Sequence, residues 1–197
     1  MGCGNGILMF LMKPLCDESV HFTGLEIQDR AAALAMRNAA DNCVSDSVRI
    51  VHGDLKEAAA IFGRDRFSAV VTNPPYRKAG SGRVNPSDEK ALARHEILCT
   101  LEDVIRSSSQ VLKSRGRLYM IHQSERLTEI TALLTKYHME AKNIRFIHRR
   151  AAEASSFVLL TAVKGGRPGV RIEAPLVVYQ EDGSYTDEVG EYYRVRG

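Results

Sequence analysis

The sequence contains no tryptophan, only four cysteines and no long apolar run. No uninterrupted apolar stretch exceeds Ile7–Met12, which is far shorter than the roughly 20 residues of a membrane-spanning helix. No cationic segment precedes that stretch as it would in a signal peptide. The four cysteines form no Cys-x-x-Cys pair and have no histidine at zinc-ligand spacing. These absences predict a cytoplasmic protein with reduced thiols, no membrane segment and no bound metal.

Length and charge indicate how many domains the chain forms and what kind of partner it could bind. A chain of 197 residues that is 44% hydrophobic and 26% charged suits a single domain over residues 1–197 with a sizeable core. We expect a monomer. The net charge of +3 is compatible with a polyanionic partner such as a nucleic acid, but it is too small to argue for one alone.

Apolar runs alternate with segments of helical periodicity, which predicts an α/β fold built on a mostly parallel sheet. The run 66–73 is apolar throughout, so we expect a central strand covered on both faces. The last two strand-like runs follow each other without a helix, which predicts a final antiparallel pair. Expected strands are 21–27, 48–54, 66–73, 116–123, 140–150 and 155–166. Expected helices are 29–42, 55–62 closed by Gly63, 89–115 stopped by Gly116, and 124–138 capped by Ser124.

A glycine at every second position marks the segment Gly2-Cys3-Gly4-Asn5-Gly6, which leads into an apolar helix-like stretch. Glycines at such a position allow a nucleotide to approach the backbone and leave the N–H groups at the helix start free to donate. An ordinary turn remains an equally good interpretation of this loop taken alone.

Two carboxylates follow the glycine loop at informative positions. Glu26 ends the next predicted strand, where α/β nucleotide-binding folds hydrogen-bond ribose hydroxyls. Asp54 ends the second predicted strand, where it could accept from an adenine amino group or simply cap the following helix. Because the loop has the spacing G-x-G-x-G rather than G-x-G-x-x-G, we favour S-adenosylmethionine over NAD as the cofactor.

The tetrapeptide Asn73-Pro74-Pro75-Tyr76 ends the third predicted strand. Prolines cannot extend the ladder and they fix φ, so the Asn73 side chain and the Pro74 carbonyl would be held rigidly. Together they offer two acceptors to the two hydrogens of an exocyclic amine, and Tyr76 could stack on a flipped base. The tetrapeptide therefore predicts methyl transfer to an amine through positioning and polarisation rather than through a general base.

With these motifs the sequence resembles the class I S-adenosylmethionine-dependent amino methyltransferases, whose signature is [NDS]-P-P-[YFW]. It is most similar to the bacterial tRNA adenine-N6 methyltransferases that act beside the anticodon of a valine tRNA. The segments that carry this resemblance are "GCGNGIL", "GLEIQ", "VHGDL", "VVTNPPYRKAGSG", "ARHE", "KGG" and "YTDEV".

The resemblance implies a Rossmann-like sheet, S-adenosylmethionine as cofactor and tRNA as substrate. The cofactor-binding residues that it implies are Gly2, Gly4, Asn5, Gly6, Glu26, Ile27, Asp54, Leu55 and Asn73. The implied catalytic residues are Asn73, Pro74, Pro75 and Tyr76. Cations that could meet RNA phosphates are Arg77, Lys78, Arg83, Arg145, Arg149 and Arg150, although each could equally be a solvated surface residue.

One departure from the family concerns the first strand, which in that fold precedes the glycine loop and lies in mid-sheet. The sequence starts at the loop, so we expect an N-terminally truncated sheet with unpaired or rearranged strands. Three alternatives stay open. Release-factor glutamine methyltransferases share the tetrapeptide, DNA adenine or rRNA guanine methylation uses the same chemistry, and a catalytically silent binding module could keep the fold.

Overall fold

The computed structural model describes residues 1–74 and 99–193. The α-helices of these residues are α1 (Ile7–Met12), α2 (Asp29–Asp41), α3 (Ala58–Phe62), α4 (Leu101–Val111), α5 (Leu127–Lys136) and α6 (Asp187–Tyr193). The strands are β1 (Phe22–Glu26), β2 (Val48–His52), β3 (Phe67–Thr72), β4 (Leu112–Gln123), β5 (Met139–His148), β6 (Ser155–Lys164), β7 (Arg171–Ile172) and β8 (Leu176–Val177). Within the described ranges, no helix is both long and apolar enough to cross a membrane.

Parallel pairing dominates the sheet, as the alternation of strands and helices predicts. β1 pairs with β2, and β3 pairs with β4, both in parallel. β6 lies between β4 and β5 and is antiparallel to each. The short strands β7 and β8 add to β5 in parallel. The expected α/β class with an antiparallel strand near the end is therefore confirmed.

The sheet is interrupted between β1 and β3. The described strands form a two-stranded sheet of β1 and β2 and a separate six-stranded sheet in which β3 is at the edge. The prediction that 66–73 is central and covered on both faces is therefore wrong, and Ser68 and Ala69 are exposed.

Helices α4 and α5 pack against the larger sheet, and α4 contributes to the site. α4 and α5 bury an apolar stripe, and the core cluster centres on Ile105, Leu118 and Ile130, each fully buried. α2 packs through small residues, since Ala32, Ala35 and Ala39 are its buried positions. The alanine-rich sequence thus brings the helix backbone close to β1 and β2.

Several predicted boundaries are wrong in the second half of the chain. α4 begins at Leu101 because Thr100 and Asp103 form a reciprocal capping box, with the Thr100 Oγ1 accepting from the Asp103 N–H at 3.1 Å. Gly116 lies inside β4 rather than at a helix end. Ser124 does not cap α5, because its hydroxyl donates to the Ser155 carbonyl at 2.5 Å. Gly63 does close α3, with φ of 86°.

We expect Gly6→Ala to destabilise the fold more than Gly183→Ala. Both glycines have positive φ, 89° and 87°, so both alanines carry about 1–2 kcal/mol of left-handed strain. Only at Gly6 would the new Cβ also lie too close to another side chain, 2.6 Å from the Phe10 ring. At Gly183 nothing lies within 4 Å of the new Cβ. Displacing the Phe10 ring should add about 1 kcal/mol or more. Urea unfolding of both variants measures the difference, and equal losses would show that the ring contact costs nothing.

Candidate active site

A cleft of about 290 Å³ opens at the carboxyl ends of β1, β2 and β3. Carboxyl ends of parallel strands are where open α/β sheets bind their ligands. The cleft is lined by Met1, Gly2, Gly4, Leu25, Glu26, Ile27, Gln28, Gly53, Asp54, Leu55, Thr72, Asn73, Pro74, Cys99 and Val104. Its volume is near the lower end of the range for small-molecule sites.

The glycine loop forms one wall of this cleft through its backbone. Gly2 and Gly4 have φ of 63° and 55°, a conformation that side-chain-bearing residues rarely adopt. A Cβ at either position would meet nothing within 4 Å, so both glycines face open space. The loop therefore presents bare backbone to whatever occupies the cleft.

Glu26 connects that loop to the sheet. Its carboxylate is buried, with one oxygen accepting from the Gly4 N–H at 2.8 Å and the other from the Gln28 N–H at 3.0 Å. Each carboxylate oxygen retains a further lone pair, so the group can still accept from a ligand hydroxyl. The side chain thus holds the loop in place and lines the cleft at once.

Asp54 caps the short turn Leu55–Glu57, as one of its two sequence-based interpretations predicts. Its Oδ1 accepts from the Lys56 N–H at 2.9 Å, and its Oδ2 lies 3.3 Å from the Lys56 ammonium. The residue also lines the cleft. Capping and ligand binding therefore do not exclude each other here.

Asn73 and Pro74 enter the cleft directly after β3. Asn73 is exposed, whereas Pro74 is buried and fixes the backbone that carries it. The preceding residue, Thr72, is also buried, and its hydroxyl donates to the Met1 carbonyl at 3.2 Å. The strand end is therefore tied to the glycine loop.

The structure does not bring every predicted residue to the cleft. Asn5 and Gly6 do not line it; the Asn5 Oδ1 accepts from the Ile7 N–H at 3.2 Å, and Gly6 is the N-cap residue that precedes α1. Ile27 and Leu55 do line it. The predicted residues Pro75, Tyr76, Arg77, Lys78 and Arg83 lie outside the described residues.

The predicted RNA-facing arginines near β5 differ in their environments. The Arg145 guanidinium forms a bidentate pair with the Glu188 carboxylate, at 2.6 and 2.8 Å. Arg149 is exposed, and Arg150 lies 3.4 Å from Glu153. β5 runs parallel to β4 and β3. Arg149 and Arg150, which follow β5, therefore lie at the carboxyl ends of the strands, as the cleft does.

Sequence reasoning missed several lining residues, among them Gln28, Gly53, Cys99 and Val104. Cys99 and Val104 come from the start of α4, far along the chain, and only the Thr100–Asp103 capping box signals where that helix begins. Burial raises the pKa of the Cys99 thiol to about 12, and the Asp103 and Asp54 carboxylates add to that rise. The thiol is therefore protonated and serves as a wall rather than a nucleophile.

His122 is a buried titratable group at the carboxyl end of β4, beside the end of β3. Its Nδ1 accepts from the Gln123 N–H at 2.8 Å. Burial lowers the pKa of this imidazole to about 4, with the nearby Arg126 cation contributing. The ring is therefore neutral at physiological pH.

Comparison with known proteins identifies the family. The family model of the methyltransferase small domain matches residues 1–147. The chain belongs to this methyltransferase family. The cleft lies outside the carboxyl ends of β1, β2 and β3, where open α/β sheets bind ligands.

Curated relatives of this methyltransferase domain include two tRNA1(Val) (adenine(37)-N6)-methyltransferases. The protein from Porphyromonas gingivalis strain W83 is 30% identical over 146 residues, 73% of this chain and 56% of the relative. The protein from Aeromonas hydrophila is 24% identical over 187 residues, 95% of this chain and 76% of the relative. The chain thus spans little more than half the length of the Porphyromonas protein.

Solved structures share the fold. A crystal structure described as a predicted O-methyltransferase from Agrobacterium tumefaciens has a TM-score of 0.77 and 24% identity, covering 98% of this chain and 85% of that one. Geranyl diphosphate C-methyltransferase from Streptomyces coelicolor, in complex with S-adenosyl-L-homocysteine, has a TM-score of 0.55 and 15% identity. The match covers 83% of this chain and 70% of that one. The Rossmann-like class I architecture expected from the sequence is confirmed.

The residues of the cleft fit the S-adenosylmethionine that this family implies. Gly2 and Gly4 leave open space for close approach to the backbone. Glu26 and Asp54 supply acceptors for hydroxyl and amino groups, and Leu25, Leu55 and Val104 supply apolar surface for a base. The cleft thus combines three features that suit a nucleoside ligand: open space at the backbone, acceptors and an apolar surface.

We expect His122 to make the fold less stable as pH falls from 6.5 to 4. Over that range the histidine of the unfolded chain binds a proton while the folded one stays neutral, so the unfolded state gains stability. The loss should reach up to about 3 kcal/mol, at 1.36 kcal/mol per pKa unit. Denaturant unfolding of His122→Asn should show a shallower pH dependence, because the amide can accept from the Gln123 N–H without titrating.

His21→Asn is the matched control, because His21 is exposed. Its pH dependence should follow that of the unsubstituted chain. If the stability of His122→Asn fell as steeply with decreasing pH as that of the unsubstituted chain, the acid sensitivity would come from other groups.

Proposed function

We propose that this chain transfers a methyl group from S-adenosylmethionine to the exocyclic N6 amine of an adenine in tRNA. The observation that supports it is the convergence of two acceptor sets in one cleft. The backbone of the glycine loop and the Glu26 and Asp54 carboxylates line the same cleft as Asn73 and Pro74. The first set suits a nucleoside cofactor, and the second suits an amine.

The cofactor would be held by backbone on one side and by carboxylates on the other. Glu26 would accept from ribose hydroxyls with the lone pairs that its bonds to Gly4 and Gln28 leave free. Asp54 would accept from the adenine amine, with Leu55 and Val104 against the ring. When bound, S-adenosylmethionine supplies an electrophilic methyl group on a sulfonium.

The target amine would be oriented by two acceptors that cannot donate. The Asn73 Oδ1 and the Pro74 carbonyl oxygen would each accept one N–H, which directs the nitrogen lone pair into the cleft. Held in this way, the amine nitrogen would receive the methyl group that the cofactor supplies, and its proton would pass to solvent, which reaches the exposed Asn73. A general base would not be required, because the nitrogen becomes acidic once it carries the methyl group.

Three observations support tRNA as the substrate. The curated relatives are named for adenine-N6 methylation of a tRNA. The net charge is positive, which favours a polyanion. Arg149 and Arg150 follow β5 at the sheet edge that carries the cleft, where phosphates beside a flipped base would pass.

Asn73→Ala should reduce methyl transfer by about 100-fold or more while leaving S-adenosylhomocysteine binding within about threefold. The alanine removes an acceptor for the amine, whereas the glycine-loop backbone, Glu26 and Asp54, which would make most of the contacts with the nucleoside, stay in place. The assay is tritium transfer from labelled S-adenosylmethionine into total tRNA lacking the modification, with nucleoside analysis for N6-methyladenosine. Asn42→Ala, an exposed amide at the end of α2, is the matched control.

Release factor and DNA serve as competing substrates in the same assay. If the label appeared in a glutamine side chain of release factor, the substrate would be a protein and not tRNA. Cofactor binding without transfer to any of the three would favour a binding module instead.

Glu26→Gln should weaken S-adenosylhomocysteine binding by roughly tenfold or more, which corresponds to about 1.4 kcal/mol. The amide has one acceptor oxygen where the carboxylate has two, so either the Gly4 or the Gln28 N–H loses its partner. Isothermal titration calorimetry measures the change. Glu57→Gln, exposed on the neighbouring turn, should bind like the unsubstituted chain, and equal affinities for both variants would remove Glu26 from the cofactor site.

A further inference from the structure

Three tyrosines near the end of the described residues stack on one another. The ring centroids of Tyr179 and Tyr185 lie 5.2 Å apart with an angle of 17° between the planes. Those of Tyr185 and Tyr193 lie 5.3 Å apart with an angle of 22°. Nearly parallel rings at such distances form offset stacks. We call Tyr179, Tyr185 and Tyr193 the tyrosine stack.

The backbone holds the first two rings of the stack in place. Tyr179 and Tyr185 form an antiparallel bridge. In the turn between them, the Gln180 N–H donates to the Ser184 carbonyl at 2.8 Å, and Gly183 has a φ of 87°, which suits glycine. The two rings are therefore ordered before any ligand binds, so a planar group that packs against the stack loses little affinity to ordering.

Helix α6 holds the third ring. Glu188 of this helix accepts from the Arg145 guanidinium at 2.6 and 2.8 Å, which fixes α6 to β5. Tyr193 is the last residue of α6, is 68% exposed and, among the described residues, stacks on Tyr185 alone. One face of the Tyr193 ring is therefore open to solvent.

An open aromatic face at the end of an ordered stack suits a planar ligand with a π-face. Centroid separations of 5.2 and 5.3 Å leave no room for another ring between two tyrosines, so a ligand ring can join only at the open end. Unpaired nucleobases stack on tyrosine rings in this way. The bases of a duplex already stack on each other, so the geometry favours a base that is unpaired.

Charges near the stack suit a nucleic acid whose bases, and not its phosphates, meet the rings. Arg149 and Arg150 follow β5, and the Arg149 carbonyl accepts from the Tyr179 N–H at 2.9 Å. Glu181 and Asp182 are exposed in the turn that the bridge closes. We therefore expect phosphates on the side of the arginines and uncharged bases on the rings.

The stack lies at the same edge of the larger sheet as the cofactor cleft. β8, which precedes Tyr179, is parallel to β5, and β5 is parallel to β3. From β3 the path crosses β4, β6 and β5 to reach β8. These steps add up to about 19 Å, because neighbouring strands are about 4.8 Å apart. Single-stranded binding sites commonly span several nucleotides, so one RNA loop can reach both the cleft and the stack.

We propose that the tyrosine stack binds an unpaired base of the RNA substrate on the open face of Tyr193. The identity of the ligand as RNA rests on the proposed function. The contact would hold the loop while a different base enters the cleft. Because stacking uses the face of a base and not its edges, the contact would add affinity without selecting the base that is methylated.

The probe is a fluorescein-labelled RNA hairpin with a loop of about seven unpaired nucleotides, titrated with the full chain and followed by fluorescence anisotropy. Tyr193→Ala should weaken hairpin binding about tenfold, because it removes the ring on which the base stacks. Tyr193→Phe keeps the ring and should bind within about twofold of the unsubstituted chain. A blunt duplex with the sequence of the stem has no unpaired base, so Tyr193→Ala should not change its binding.

Tyr192→Ala is the matched control on the same helix. Tyr192 is 65% exposed, and its hydroxyl donates to Glu188 at 3.0 Å. This variant should bind the hairpin like the unsubstituted chain. Circular dichroism and thermal unfolding check that both alanine variants keep the fold. Tyr193→Leu keeps apolar bulk without an aromatic face and should weaken binding as Tyr193→Ala does.

Salt dependence separates stacking from charge. Stacking a base releases no counterions, so Tyr193→Ala should leave the slope of log affinity against log salt concentration unchanged. A smaller slope in Tyr193→Ala would show that phosphate contacts were lost, and it would overturn the proposal.

Other results would also overturn the proposal. They are equal hairpin affinities of Tyr193→Ala and the unsubstituted chain, equal losses in Tyr193→Ala and Tyr193→Phe, and an equal loss of duplex binding. If Tyr193→Ala abolished binding of release factor and left hairpin binding unchanged, the stack would be a protein contact and not an RNA contact.

Methyl transfer to tRNA distinguishes failure of this proposal from failure of the proposed function. Hairpin binding that depends on the Tyr193 ring, in a chain that methylates no RNA, would support the stack and remove the proposed function. Methylation of tRNA with the same KM in Tyr193→Ala and the unsubstituted chain would support the function and overturn the stack.

Discussion

The hydrogen bond from the Gly4 N–H to the buried Glu26 carboxylate is the contact on which the rest of the site depends. It fixes a loop that has almost no side chains of its own to the end of a strand. The same carboxylate accepts from Gln28, so loop, strand and the start of α2 share one acceptor. A buried carboxylate is stable in such a place because its charge is compensated by oriented N–H groups.

The chemistry of the cleft follows from a set of acceptors without a nucleophile. Glu26, Asp54, the Asn73 oxygen and the Pro74 carbonyl can orient hydroxyls and amines. The nearby Cys99 is kept protonated by burial and by neighbouring carboxylates. His122, close to the end of β3, is kept neutral. Such a site suits a reaction in which the cofactor carries the electrophile and the protein contributes position.

The break in the sheet lies next to the site, between β1 and β3. β1 ends in Glu26 and β3 leads into Asn73, and both residues line the cleft, yet the two strands belong to separate sheets. Among the described residues, bonds of Met1, Cys3 and Thr72 connect them near the cleft. These bonds help to hold the two acceptor sets at their relative positions.

Much of the fold and of the cleft was determined by local sequence. Glycine at alternate positions of the loop, an acidic residue after each of two strands and Asn-Pro after the third are short-range signals, and the parallel arrangement brings these strand ends together. Only tertiary structure decided that Cys99 and Val104 join them, because α4 is distant in sequence and its contacts come from packing. Only tertiary structure decided that the apolar run of β3 lies at an edge, since periodicity reports burial but not which neighbour supplies it. The pairing of Arg145 with Glu188 likewise depends on where α6 folds back, which no local pattern specifies.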